Sequence, residues 1–115
     1  MGDAWFSGVA DELGRCLADA ESCAVACEQL LESLRGGEDA ELQRRVSETV
    51  LVPAGVARTF VELIDEPQYV LAAARLFRTT ALQAVAMLDE LDAAEAAAAL
   101  RTAAASCQRL LDATA

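Results

Sequence analysis

The sequence predicts an all-α protein, an antiparallel up-down-up-down four-helix bundle formed by a single domain over residues 1–115. The composition is 55% hydrophobic but only 4% aromatic, with alanine the commonest residue, which favours close-packed helices over strands. Apolar residues recur at alternating steps of three and four in four successive segments, as on one face of a helix. Because the breaks between segments are only about two to four residues long, consecutive helices are expected to run antiparallel.

The first predicted helix runs from about Asp3, whose carboxylate is an expected cap, to Arg35. Gly36 and Gly37 end it, because glycine adopts a left-handed conformation at little cost. Three of the four cysteines lie on its apolar stripe at spacings of seven and four residues, which brings all three thiols to one inward face. This stripe consists of Val9, Leu13, Cys16, Ala20, Cys23, Cys27, Leu30 and Leu34.

The second predicted helix runs from about Asp39 to Asp65 and contains Pro53 in its interior. An interior proline removes one backbone hydrogen bond and costs about 3 kcal/mol in a straight helix. Because the apolar periodicity continues in phase past Pro53, we expect a kink between Val52 and Gly55 rather than two short helices. The predicted inner residues are Leu42, Val46, Val50, Pro53, Ala57, Phe60 and Ile64.

The third predicted helix begins at Pro67, a residue suited to the first helical position, and ends near Leu91. Asp92 is expected to cap the fourth helix, with Glu95 three residues later completing a capping box. The predicted inner residues of these helices are Val70, Ala74, Phe77, Ala81, Ala84, Leu88 and Leu91, followed by Ala97, Leu100, Ala104, Cys107 and Leu111.

The charge of the chain excludes several classes of partner. Its net charge is −10 with no histidine, so its field repels phosphate backbones and anionic lipid surfaces, and we expect neither nucleic-acid nor membrane binding. The first residues lack the basic and apolar regions of a secretory signal, which predicts a cytoplasmic protein whose cysteines are free thiols or metal ligands. Trp5 and Phe6 either cover one end of the bundle or form an exposed patch for homo-oligomer formation.

The spacing of the thiols limits the metal sites that they can form. Cys16 and Cys27 are eleven residues apart, roughly 16 Å along a helix, which excludes one closed four-cysteine site that includes both. Cys23 and Cys27 are one turn apart, with Cβ atoms about 6 Å from each other, so two-coordinate Cu(I) could bridge them. In an antiparallel bundle Cys107 lies near Cys16, and Met87 lies closer to Cys23 and could offer a thioether. Small buried core side chains remain the alternative interpretation of all these residues.

The pattern Cys16-x3-Ala20-x2-Cys23-x3-Cys27-Glu28 resembles the first helix of the cysteine-rich four-helix-bundle copper-storage proteins and of their relatives that are often mislabelled ferredoxins. These proteins line the bundle interior with CxxxC pairs that load many Cu(I) ions. The resemblance continues at Val46-x6-Pro53-x3-Ala57, where the family tends to carry C-x6-C-x3-C, so the expected thiols of the second helix are replaced here. It therefore implies a cysteine-depleted member that binds Cu(I) at low stoichiometry through Cys23 and Cys27, with Cys16 and Cys107 as accessory ligands.

Two further classes of function compete with copper binding. An interaction module could use the apolar bundle interior, opened near Pro53, for a small apolar ligand or a partner helix. A small enzyme could use a core thiolate as its nucleophile, with Cys16 and Cys107 as the candidates. The sequence favours a non-enzymatic role, because it provides no histidine as a base and no evident cation to activate a thiol.

Overall fold

A computed structural model describes the chain from residue 2 to residue 114, including the side chains from residue 8 onwards except those at positions 64 and 67. The expected roles of Trp5 and Phe6 lie outside the described side chains. Within residues 2–114 the protein is helical, with no strand, which confirms the all-α prediction. Its elements are α1 (Gly2–Leu34), α2 (Ala40–Glu62), a short 3-10 helix (Leu63–Asp65), α3 (Pro67–Glu90) and α4 (Ala94–Thr114).

The four helices pack around one elongated core. Helix α1 contacts α2 and α4, and α3 contacts the same two helices, within principal dimensions of 53 × 21 × 17 Å. The core contains few large side chains, among them Phe60 and Phe77, separated by many alanines. Every described residue of the predicted apolar stripes is buried, except five at the ends of the stripes that are partly buried, which confirms the periodicity. These five are Leu30, Leu34, Leu42, Leu91 and Leu111.

Helix α1 contains an interruption that the sequence did not predict. Val9 has backbone angles of φ −133° and ψ 20°, outside the helical region, although the helix continues on both sides. The preceding Gly8 has a low helix propensity, and a β-branched valine tolerates a more extended conformation. The unbroken part of α1 starts beyond Val9 and includes Cys16, Cys23 and Cys27.

The connection between α1 and α2 follows the prediction. Gly36 has a positive φ of 80°, and the Gly37 amide donates to the Leu34 carbonyl oxygen over 3.1 Å. The Asp39 side chain then accepts a hydrogen bond of 2.9 Å from the Leu42 amide. A glycine therefore ends the first helix, and a capping carboxylate begins the second.

Asp92 does not cap α4, so the predicted capping box is wrong. Its φ of 58° is left-handed, its amide donates to the Asp89 carbonyl oxygen over 3.4 Å, and the Ala93 amide donates to the Leu88 carbonyl oxygen over 3.0 Å. These two bonds form the Schellman pattern that closes a helix carboxyl end. Asp92 therefore terminates α3, while the Ala93 carbonyl oxygen accepts the first bond of α4 from the Ala97 amide.

Replacing Asp92 by glycine is expected to stabilise the protein by about 1 kcal/mol relative to Asp92→Asn, which removes the same charge. Glycine adopts a positive φ without the steric cost that a side chain incurs. Both variants lack the Asp92 carboxylate, so the loss of its interaction with the α4 dipole is the same in each and cancels in the comparison. Urea unfolding monitored by circular dichroism measures the difference. A glycine variant less stable than the asparagine variant would contradict this account of the turn.

Surface charges pair mainly between neighbouring helical turns and between helices. Arg44 binds Glu41 over 2.5 Å and Glu48 over 2.8 Å, while Arg58 binds Glu28 on α1. All these groups are well exposed, so solvent screening keeps the contribution of each pair to stability small. No helix in the described part of the chain is both long enough and apolar enough to cross a membrane.

Candidate functional site

All four cysteines are reduced and fully buried, with no exposed surface. Three of them lie on α1, on the same face as Leu13 and Ala20, because the steps of seven and four residues match the helical repeat. The fourth, Cys107, lies on α4, which packs against α1. The prediction that the thiols point into the bundle is therefore confirmed.

Cys16 and Cys107 form a pair between two helices. Their sulfur atoms lie 3.1 Å apart, although the residues are separated by 91 positions in the chain. The hydrogen bond with Cys107 and the burial of the site both raise the pKa of the Cys16 thiol. The expectation that these two cysteines meet at the same end of the molecule is confirmed, and either thiol can donate to the other.

Cys23 and Cys27 form a second pair, one turn apart on α1. Hydrogen bonding with Cys27 raises the pKa of the Cys23 thiol, and burial raises it further. The same contact lowers the pKa of Cys27, against the opposing effect of burial. The proximity of the two thiols therefore opposes the loss of both protons from this pair.

The two pairs remain separate sites. Among the described residues, no group of three or more cysteine or carboxylate side chains is arranged to hold one metal ion. A closed four-thiolate zinc or iron–sulfur site would need all its ligands around one centre. The arrangement can instead provide two sulfur ligands at each of two positions, which suits a soft ion of low coordination number.

Met87 does not face the thiols, so its predicted contribution of a thioether is wrong. Its side chain is 37% exposed, and its sulfur accepts a hydrogen bond of 3.5 Å from Nη2 of Arg45 on α2. The neighbouring Leu88 takes the inward position on α3 instead. Adjacent side chains on a helix point in directions about 100° apart, so one of two neighbouring residues can be buried in the core while the other lies on the surface.

A polar network lies beside the Cys16–Cys107 pair and was not predicted from the sequence. The Ser106 hydroxyl, buried at 1% exposure, donates to the Asp19 carboxylate and accepts a bond of 2.9 Å from Arg109 Nη2. Asp19 raises the pKa of Cys16, whereas Arg109 lowers it. The effect of Arg109 on this pKa is smaller than those of the Cys107 hydrogen bond, of burial and of Asp19, so the nearby cation does not activate the Cys16 thiol.

The network borders a surface cleft of about 400 Å³ between α1 and α4. Acidic and basic side chains line this cleft on both helices, and Ser106 forms part of its wall one residue before Cys107. Two residues of the cleft wall, Arg15 and Ser106, are thus chain neighbours of the buried thiols Cys16 and Cys107. The cleft is lined by Asp11, Glu12, Arg15, Ser106, Arg109 and Asp112.

The thiols make stability dependent on pH under reducing conditions. The folded state holds the pKa of Cys16 and of Cys23 above the 9.0 of an ordinary thiol, so the unfolded chain releases these protons first as the pH rises. This contribution to stability is present below pH 9 and is lost above it, at about 1.4 kcal/mol per pH unit for each thiol.

Urea unfolding between about pH 8 and pH 10.5 tests this dependence. Lysine does not interfere, because all nine basic residues are arginine. Above about pH 9, where Cys27 with its lowered pKa is ionised in both states and adds no slope, the double variant Cys16→Ala/Cys107→Ala should show about half the slope, since only Cys23 then contributes. A slope that does not change in this variant would contradict the assignment.

Comparison with known proteins finds no matching family model, no similar curated protein and no similar solved structure. The resemblance to the copper-storage proteins therefore depends on the cysteine motif of α1 and on the layout of four helices.

Proposed function

We propose that this protein binds Cu(I) at low stoichiometry through its buried thiols, with Cys23 and Cys27 as the principal ligands. The observation that carries the proposal is the arrangement of the four thiols in two separate, fully buried pairs. Thiolates are soft ligands that select Cu(I), and two of them are sufficient for an ion that accepts low coordination. Cys16 and Cys107 are the accessory pair, so the capacity is at most about two ions per chain.

Copper binding by these pairs requires deprotonation and a small rearrangement. With the zinc–thiolate bond of about 2.3 Å as a guide, two such bonds in line would place the sulfurs roughly 4.6 Å apart. The 3.1 Å separation of Cys16 and Cys107 must therefore widen, whereas side-chain rotation within one helical turn adjusts Cys23 and Cys27. The raised pKa of Cys23 and of Cys16 also means that Cu(I) must displace protons, so affinity should increase with pH.

The proposed fold is an up-down-up-down bundle whose second helix bends near Pro53. Two contacts between α1 and α4 support the alternating directions: Cys16 contacts Cys107, and Asp19 contacts Ser106. Since the later residue of α1 contacts the earlier residue of α4, these two helices run in opposite directions. Pro53 cannot donate to the Thr49 carbonyl oxygen, which is the reason to expect a bend in α2. We place the protein in the cytoplasm, where its thiols would stay reduced.

Anaerobic titration of reduced protein with Cu(I), in competition with a chromogenic chelator, tests the function. The wild type should remove one to two equivalents of Cu(I) from the chelator. The variant Cys23→Ala/Cys27→Ala should lose the principal site, whereas the matched variant Cys16→Ala/Cys107→Ala should keep it. No uptake by the wild type, or equal uptake by the wild type and the Cys23→Ala/Cys27→Ala variant, would reject the proposal.

A second candidate function is that of an interaction module. It is favoured by an apolar groove of about 500 Å³ between α2 and α3, which opens on the outside of these helices. The sequence led us to expect such a site in the bundle interior near Pro53. We now place it on the outer surface of the same helices.

A further inference from the structure

The outer surface between α2 and α3 is almost free of charge. Two adjacent grooves follow the line where these helices meet, and Glu48 is the one ionised side chain among the residues that line them. The groove between α1 and α4, in contrast, is lined by five charged residues. The apolar side chains that line the two grooves between α2 and α3 are called the α2/α3 stripe. The stripe is defined as Val52, Val56, Tyr69, Leu76 and Met87.

The stripe exposes large apolar side chains to solvent. Val52, Tyr69 and Leu76 each have more than half of their surface exposed. A surface with this composition is unexpected on a chain whose net charge is −10 and of which 24% of residues are charged. Contiguous exposed apolar patches are typical of surfaces that bind another molecule.

The two ends of the stripe carry opposite charges. At one end Arg45 contacts the Met87 sulfur and has no carboxylate partner among the described residues. At the other end Glu62, Asp65 and Glu66 form no ion pair with any described cation. A second molecule of the same chain, turned end for end, would place each unpaired arginine against these carboxylates.

We propose that the α2/α3 stripe is the interface of a symmetric homodimer. The two-fold axis passes between the α2 helices of the two copies. It lies close to Pro53, because Pro53 is midway along the chain between Arg45 and Glu62. In this arrangement Val52 of each copy packs near Val56 of the other, and each Arg45 faces Glu62 and Glu66 across the interface. Because the side chains of the stripe are uncharged, two acidic copies can meet there with little repulsion.

The size of the stripe predicts a weak and reversible dimer. From Tyr69 to Met87 the stripe extends for roughly 27 Å along α3, and two packed helices give it a width of about 20 Å. The interface would bury about 1,000 Å² in total, less than the roughly 1,600 Å² of a standard stable interface. Association is therefore expected at high micromolar concentrations rather than at nanomolar concentrations.

Sedimentation velocity of the full reduced chain between about 10 μM and 1 mM tests the dimer. Leu76→Glu should weaken association at least about tenfold, because it places an unpaired charge at the centre of the stripe. Leu82→Glu is the matched control, since Leu82 lies on the same helix at 51% exposure, against 53% for Leu76, but outside both grooves. This control should associate as the wild type does.

A charge exchange tests the symmetry of the interface. Arg45→Glu alone should weaken association, and adding Glu66→Arg should restore it, because the two reversed charges meet again across the two-fold axis. Circular dichroism confirms that each variant is folded. A wild type that remains monomeric throughout the concentration range would overturn the proposal and leave the stripe to a different partner. Equal weakening by Leu76→Glu and Leu82→Glu would also overturn it.

Discussion

Oxidation of the reduced protein with diamide is expected to join Cys16 to Cys107 and to raise the free energy of unfolding by about 4 kcal/mol. The two sulfurs already lie 3.1 Å apart, and a bond between them would close a loop of 91 residues in the unfolded chain. The two thiols lose two protons and two electrons, which reduce the azo group of diamide to a hydrazine. Because the loop is long, the bond removes much of the conformational freedom of the unfolded state.

The experiment is best performed in the Cys23→Ala/Cys27→Ala background, which leaves a single thiol pair. Peptide mapping identifies the bond, and urea unfolding compares the oxidised with the reduced protein. The same background with Cys107→Ala is the control, because it cannot form the link and should not be stabilised by diamide. Failure to find the link, or a linked protein less stable than the reduced one, would contradict the geometry of the pair.

The oxidation should also be slow in the folded protein. Both thiols are fully buried, and the raised pKa of Cys16 keeps its reactive thiolate scarce. Reaction with diamide therefore requires local opening between α1 and α4. The rate should increase in moderate urea, whereas a rate equal to that of an exposed thiol would indicate that the pair is accessible in the native state.

Phe77→Ala is expected to destabilise the protein by about 3 to 5 kcal/mol. Phe77 is fully buried on α3 and is one of the largest side chains in a core otherwise rich in alanine. Its alanine neighbours cannot extend to fill the space, and the helices that surround it limit how far the core can contract. The loss would be a large fraction of the total stability of a domain of this size.

Urea unfolding of Phe77→Ala and of Leu82→Ala measures this effect against a surface control on the same helix. Leu82 is 51% exposed, so its truncation should change the stability by about 0.5 kcal/mol or less. A loss of under about 1 kcal/mol for Phe77→Ala would show that the core repacks around the missing ring.

The inward direction of the thiols could be predicted because it depends only on local geometry. A step of three or four residues keeps side chains on one helix face, so the stripe containing Cys16, Cys23 and Cys27 follows from the sequence. The approach of Cys107 to Cys16 needed one further assumption, an antiparallel arrangement of α1 and α4. The short connections between helices provided it.

The predictions fail where a shift of one residue changes the face of a helix to which a side chain belongs, or where the backbone conformation at a helix end decides the role of a residue. Met87 was expected near the thiols although the predicted inner stripe already contained its neighbour Leu88; Leu88 is buried as that stripe required, and Met87 packs against Arg45 on the surface. Asp92 is a residue type that is common at helix amino-terminal caps, yet its backbone is left-handed here and ends α3. For Met87 the helical periodicity already indicated an outward position, whereas for Asp92 the sequence permitted two local arrangements and the structure adopts one.

The sequence by itself determined the helical class, the four helices and the apolar face of each, because these depend on interactions within one or two turns of chain. The tertiary structure decided which distant side chains meet. The sulfur contact between Cys16 and Cys107, and the burial of Ser106 between Asp19 and Arg109, join residues about 90 positions apart on two packed helices. Such contacts depend on the axial register of α1 and α4, and that register is set by the close packing of the whole core rather than by any local segment.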